Sequence, residues 1–234
     1  MNYKVFSLVA LLSLMSFTSA NTAISTPKSS LPIASKTESR FAEVYRSLHS
    51  SQFTLPDFES FAQAFKGFEM LKEKGAVHKD ILTLVDFSLS SNVKRLWIIN
   101  MNTYEVIMNT YVSHGKNTGE EYAESFSNTD SSNKSSLGFY ITGETYNGKH
   151  GLSLKLDGQE KGVNDNARRR GIVMHAADYV SESFIKANKR LGRSQGCPAV
   201  PAELSAEIID LIKDKSCLFI YHPSRSFSSD KLFS

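Results

Sequence analysis

Two side chains in this sequence have chemistry to offer. Cys197 lies in Ser194-Gln-Gly-Cys197-Pro198, and His175 closes the short apolar run Gly171-Ile-Val-Met174. A thiol of ordinary pKa is only a few per cent ionised at neutral pH, so a nucleophilic cysteine needs a base or a positive field beside it. His175 is that base if the chain folds back to bring the two together, the usual arrangement when the pair is separated in sequence. Gly196 lets the backbone come close to a reacting carbonyl, and Pro198 withholds an N–H from regular pairing, so Cys197 belongs at an exposed turn. Two plainer readings compete. An isolated cysteine is commonly a small buried hydrophobe, and an isolated histidine a structural one. The second cysteine, Cys217, also offers a disulfide that would consume the nucleophile. Cys217 sits in the apolar run Ser216-Cys-Leu-Phe-Ile-Tyr221, which favours a buried free thiol on a closing strand.

The elements that position these residues follow from periodicity. Gly171 to Met174 reads as a buried strand delivering His175 at its end. Residues 81–87, 95–99, 104–112, 139–142 and 152–156 are strand-like, with a hairpin turn at Asn100-Met-Asn102. Pro201 to Lys213 is amphipathic through Leu204, Ile208, Ile209 and Ile212, a helix ahead of the last strand. A longer helix follows Pro56, with Phe58, Phe61, Ala62, Phe65, Phe68, Met70 and Leu71 on its apolar side and Gly75 at its C-cap. Phe41 to Leu48 is a shorter helical candidate. Residues 114–136, rich in Gly, Ser and Asn, are long for a connection and belong at the rim of a site. Residues 157–170 read as a polar loop ending in Arg168-Arg169-Arg170. Many short strands and few helices give a mainly β (α+β) domain of sandwich-like form.

The stretch around Cys197 resembles the murein L,D-transpeptidase catalytic domain, the YkuD-type family of cysteine enzymes. That family carries a histidine on one strand and a later Ser-x-Gly-Cys, here His175 and Ser194-Gln195-Gly196-Cys197. One branch has Gly-Arg-Leu-Gly-Arg-Ser-x-Gly-Cys-Pro-Ala-Val, matched from Arg190 to Val200, with Lys189 replacing the first glycine. Val112-Ser-His-Gly-Lys-Asn-Thr-Gly119, Phe126-Ser-Asn128, Ser136-Leu-Gly-Phe-Tyr140 and Lys149-His-Gly-Leu-Ser-Leu154 extend the likeness over about residues 80 to 222.

The resemblance implies a YkuD-like β-sandwich and acyl transfer through a Cys197 thioester with His175 as base. It also implies that a backbone carbonyl, here that of Ala176 where the family has glycine, orients the histidine. Gly196 and Cys197 N–H groups would hold the oxyanion, and Ser194 would organise the loop. The implied partners are peptidoglycan stem peptides and carbapenem-type inhibitors. The wider family often has an arginine soon after the cysteine, whereas this chain has Pro198-Ala199, so carboxylate binding passes to Arg193 or Arg190. His114, Asn128 and Tyr140 complete the expected substrate-binding set, with His150 a further cleft candidate. The alternatives are a hydrolytic carboxypeptidase or amidase of the same fold, and a non-catalytic wall-binding module.

Composition bounds the rest. The 234 residues, 41% hydrophobic, suffice for one domain with a small helical extension. Residues 1–20 read as a secretory signal: Lys4, an apolar stretch from Val5 to Phe17, then Thr18-Ser19-Ala20. Residues 21–40 read as a flexible linker, 41–78 as the helical extension, 79–223 as the catalytic domain and 224–234 as a polar tail. The expected location is therefore exported, periplasmic or wall-associated, without a membrane span once the signal is removed. A net charge of +3 without an arginine stripe among aromatics argues against nucleic acid. No HExxH or paired-cysteine spacing occurs, so neither a metal nor another cofactor is expected.

Overall fold

The computed structural model describes residues 33–225 and Leu232, with side chains from Ser39 onward. The expected signal segment, most of the linker and most of the polar tail lie outside the described residues. Helix α1 spans Ile33–Ser47 and α2 spans Phe58–Glu73. The first helix thus starts within the stretch assigned to a linker.

Helix α2 has clear local causes. The Asp57 carboxylate accepts the Glu59 N–H at 2.8 Å and caps the N-terminus. At the other end Gly75 takes φ +69°, its N–H bonds Lys72 O, and the Ala76 N–H bonds Leu71 O. That pairing closes the last turn in a left-handed cap that glycine adopts without strain. Phe61, Phe65, Phe68 and Leu71 are buried, whereas Phe58 is exposed and packs edge-on against Tyr45.

Eight strands follow: β1 (Ile81–Asp86), β2 (Leu96–Asn100), β3 (Glu105–Thr110), β4 (Gly138–Gly148), β5 (Gly151–Gly158), β6 (Val173–Ala176), β7 (Ala199–Val200) and β8 (Cys217–Tyr221). Helix α3 (Glu182–Asn188) bridges β6 and β7, and α4 (Ala202–Ile212) precedes β8. All eight strands form one sheet in the order β3-β2-β1-β8-β4-β5-β6-β7. The β1–β8 and β6–β7 pairs are parallel and the others antiparallel.

The central strands are buried on both faces, with side chains alternating between two cores. Leu82, Leu84, Trp97, Ile99, Cys217 and Phe219 pack under α1 and α2. Val85, Leu96, Ile98, Leu218 and Ile220 face the other way, meeting Leu154, Met174 and the Ile208, Ile209 and Ile212 side of α4. Close docking of α2 depends on Gly67, where an added Cβ would fall 2.0 Å from the Phe139 ring.

The two facing layers expected of a sandwich are one sheet curled on itself until its ends meet. Just beyond β3, Ser113 bridges Ala199 of β7, with the Ser113 N–H bonded to Ala199 O at 2.9 Å. A second bridge joins Gly115 to Ser194. This near-closure of the barrel lays the start of the 114–136 loop against the cysteine loop.

Candidate active site

His175 lies on β6 between two neighbours, paired with Ser153 of β5 and Ala199 of β7. Cys197 enters β7 two residues before Ala199, so the parallel register brings thiol and imidazole to one end of the sheet. Both line one cavity of about 450 Å3. Lys149, His150, Arg170, Tyr179 and Arg193 share its wall.

The His175 ring is fixed by its backbone: Nδ1 donates to the Ala176 carbonyl at 2.8 Å, which leaves Nε2 as the bare, basic nitrogen. Burial holds the imidazole below its usual 6.5 despite that bond, and the nearby His150 and Lys149 push it the same way. Cys197 is half-buried and unbridged. Its Sγ donates to the Gly171 carbonyl at 3.8 Å. Burial pushes the thiol above its ordinary value, while the Val173 backbone hydrogen bond and the charges of Arg170 and Lys149 oppose the rise. Both shifts favour a neutral thiol and a neutral imidazole at rest.

The cysteine loop is knotted by Ser194. Its hydroxyl donates to Cys197 O at 2.6 Å and accepts the Gly196 N–H at 3.0 Å. Its backbone pairs with the neighbouring loop, Ser194 N to His114 O at 3.0 Å and Lys116 N to Ser194 O at 2.8 Å. Gly196 holds φ +122°, where a Cβ would fall 2.8 Å from Lys134 O; only glycine fits. Because the Gly196 N–H is already bonded to Ser194, it is not available as the expected oxyanion donor.

The structure redistributes the expected substrate-binding residues. Arg193 lines the cavity, but its guanidinium bonds Lys116 O, Gly119 O and the Glu120 carboxylate. Arg190 pairs with the same carboxylate at 3.0 Å and lies outside the cavity wall. The two arginines staple the β7 loop to the loop before it. His114 is buried rather than cleft-lining: Arg95 Nη2 donates to its Nδ1 at 2.9 Å, and Nε2 faces Gly119 O at 3.2 Å. Burial chiefly, with the Arg95 charge, pulls its pKa down to about 4. Asn128 ties two loops together through Asp165 and Asn166 instead of facing the cavity. Tyr140 is fully buried, its hydroxyl bonded to Ser136 O at 3.0 Å. Glycine-flanked His114 and strand-borne Tyr140 read the same in sequence whichever way they point.

Arg170 is, with Lys149, Tyr146 and Tyr179, a cavity residue outside the expected set; in the sequence it was only the end of a basic run. Nη1 donates to Ser127 O and Ser136 Oγ, both at 2.8 Å, and Nη2 to Lys134 O at 2.7 Å and Ser132 Oγ at 3.2 Å. It clamps the 127–136 loop, whose Ser135 hydroxyl donates to Gly196 O at 3.2 Å. The clue was its position just ahead of the turn at Gly171 that leads into β6. His150, a cleft candidate beside His114, does reach the cavity, from the β4–β5 hairpin tip. Among the described residues no group of three or more His, Cys, Asp and Glu is arranged to hold a metal ion, and no helix is long and apolar enough to cross a membrane.

A cysteine, an oriented histidine and a glycine-bearing loop thus meet at one end of a curled sheet. Residues 54–221 match the L,D-transpeptidase catalytic domain, and the chain belongs to that family. No curated protein matches it. Among solved structures it is similar to an L,D-transpeptidase from Mycobacterium smegmatis, at 11% identity and a TM-score of 0.38, covering 61% of this chain and 59% of that one. The helical cell shape determining protein Pgp2 from Campylobacter jejuni aligns at 13% identity and 0.40, covering 68% and 56%. An L,D-transpeptidase from Xylanimonas cellulosilytica aligns at 13% and 0.35, covering 77% and 92%. The chain thus spans about three-fifths of the length of the first of these.

Proposed function

We propose that the protein is an exported cysteine acyltransferase of the cell wall, which takes a peptidoglycan stem peptide onto Cys197 and passes it to an amine. The observation that carries this reading is the shared cavity of Cys197 and a His175 whose Nδ1–H is committed to Ala176 O. With both groups neutral at rest, His175 acts as a general base. Sγ turns from the Gly171 carbonyl toward Nε2, gives up its proton and attacks the amide carbonyl carbon. The C–N bond breaks as the imidazolium protonates the leaving amine, leaving a thioester. An acceptor amine then attacks the thioester, passing its proton to His175 and freeing the thiol.

The oxyanion falls to the Cys197 N–H, which makes no hydrogen bond among the described residues. One such donor commonly contributes about 3 kcal/mol in the transition state. Lys149 supports the choice of a carboxylate-bearing substrate: it is an exposed cation on the cavity wall with no ion pair among the described residues.

The test is incubation of the protein, from residue 21, with a murein tetrapeptide and an amine acceptor, followed by mass spectrometry. An exchange product that disappears in Cys197→Ala supports transpeptidation. A free acid alone means the hydrolytic alternative, and no turnover by wild type refutes both.

A further inference from the structure

The β4–β5 hairpin does more than complete the sheet. Its register runs to Gly148 opposite Gly151, so Lys149 and His150 form a two-residue turn, with Gly151 at φ +75°. Strand β4 is buried over its first five residues and exposed from Glu144 to Asn147, so the outer half projects from the body. The tip curls back over the site. The His150 ring stacks on the His175 ring, with centroids 4.3 Å apart and planes inclined by 19°. His150 makes no hydrogen bond among the described residues, so the stack is its tie to the site.

We propose that His150 is a positioning residue for the reaction, its ring covering one face of His175 and holding Nε2 toward the cysteine. The inference rests on the reading of His175 as base. One hydrogen bond from Nδ1 fixes an imidazole at a single point, about which the ring can still tilt; a flat neighbour in contact removes that freedom. Stacked aromatic pairs of this kind contribute beyond simple area burial. The second imidazole also discourages proton capture by His175 at rest, as two neighbouring cations would repel. The groups facing His175 are Lys149 and His150 from the hairpin and Cys197 from the loop. Tyr146, Arg170, Tyr179 and Arg193 complete the charged and titratable part of the wall. His150 is exposed in a turn, so its replacement removes no core contact.

The experiment compares wild type, His150→Ala and His150→Phe by NMR titration of His175 and by the rate of Cys197 acylation with a carbapenem. The alanine variant is expected to raise the His175 midpoint by about half a pH unit or more, since both cover and like charge are lost. It should also slow acylation about tenfold without weakening initial binding of the inhibitor, as misplacing a reacting group does. The phenylalanine variant keeps the stack and should stay within about threefold of wild type, since the ring's cover and not its nitrogens does the positioning. Acylation at the wild-type rate in His150→Ala, whatever the midpoint does, overturns the proposal. So does a phenylalanine variant as slow as the alanine one, because His150 would then act through its nitrogens. If wild type forms no adduct, the acyl-transfer reading fails by itself, and the stack is judged by the His175 midpoint: unmoved in His150→Ala, it too is overturned.

Discussion

Ser194→Ala should disable the cysteine loop while leaving the fold in place. The hydroxyl is buried and makes two bonds, one from the Gly196 N–H at 3.0 Å and one to Cys197 O at 2.6 Å. Each bond is worth about 1 kcal/mol net, and the buried Gly196 N–H left without an acceptor adds about 1 kcal/mol more. The total, about 2–3 kcal/mol, falls on a loop whose backbone sets the direction of Sγ. If it acts on loop geometry alone, the reactive arrangement becomes about 30- to 140-fold rarer, at 1.4 kcal/mol per factor of ten. The assay is stopped-flow acylation by a carbapenem beside urea unfolding. Ser216→Ala serves as the control, because its hydroxyl bonds Ile212 O at 2.6 Å in a buried position at the end of α4, away from the cavity. The control should lose stability of similar size and acylate at the wild-type rate. Wild-type acylation by Ser194→Ala, or equal slowing in Ser216→Ala, would refute the assignment of Ser194 as the loop's knot.

Two further outcomes follow from protonation. His114 is held at about 4 in the folded protein against 6.5 when exposed, so the fold favours its neutral form. Its contribution is complete above pH 6.5 and is lost as the pH falls toward 4, a change of roughly 3 kcal/mol; His114→Gln should flatten that part of a stability–pH curve measured in urea. The raised Cys197 thiol and lowered His175 predict that iodoacetamide alkylates Cys197 with a midpoint above the ordinary thiol value of 9.0. Enzymatic acylation should instead turn on below pH 6.5, and coincident midpoints would indicate a preformed ion pair.

Much of this arrangement was legible in the sequence because short apolar runs name buried strands, and the α2 helix carries both of its caps in the sequence. The helix missed between β6 and β7 has no buried residue, so its seven residues carry no apolar stripe to read. Strand β7 is two residues long, and nothing local announces it. The cysteine and histidine stood out by type and by a motif. The roles of Arg193, Arg190 and His114 did not, because they depend on sheet closure: Ser113 meeting Ala199 turns one loop inward and joins both arginines to Glu120. Arg170 was hidden for the opposite reason, looking like surface charge until the 127–136 loop wrapped around it.

The most direct test of Cys197 as the activated nucleophile is intact-mass spectrometry after exposure to a carbapenem, with Cys197→Ala and Cys217→Ala beside wild type. Cys217 is fully buried on β8, its thiol pushed well above the ordinary range, and it should stay unmodified. The predicted result is one adduct on wild type and on Cys217→Ala and none on Cys197→Ala. An adduct that survives Cys197→Ala, or none on a wild type with both thiols free, would contradict the account.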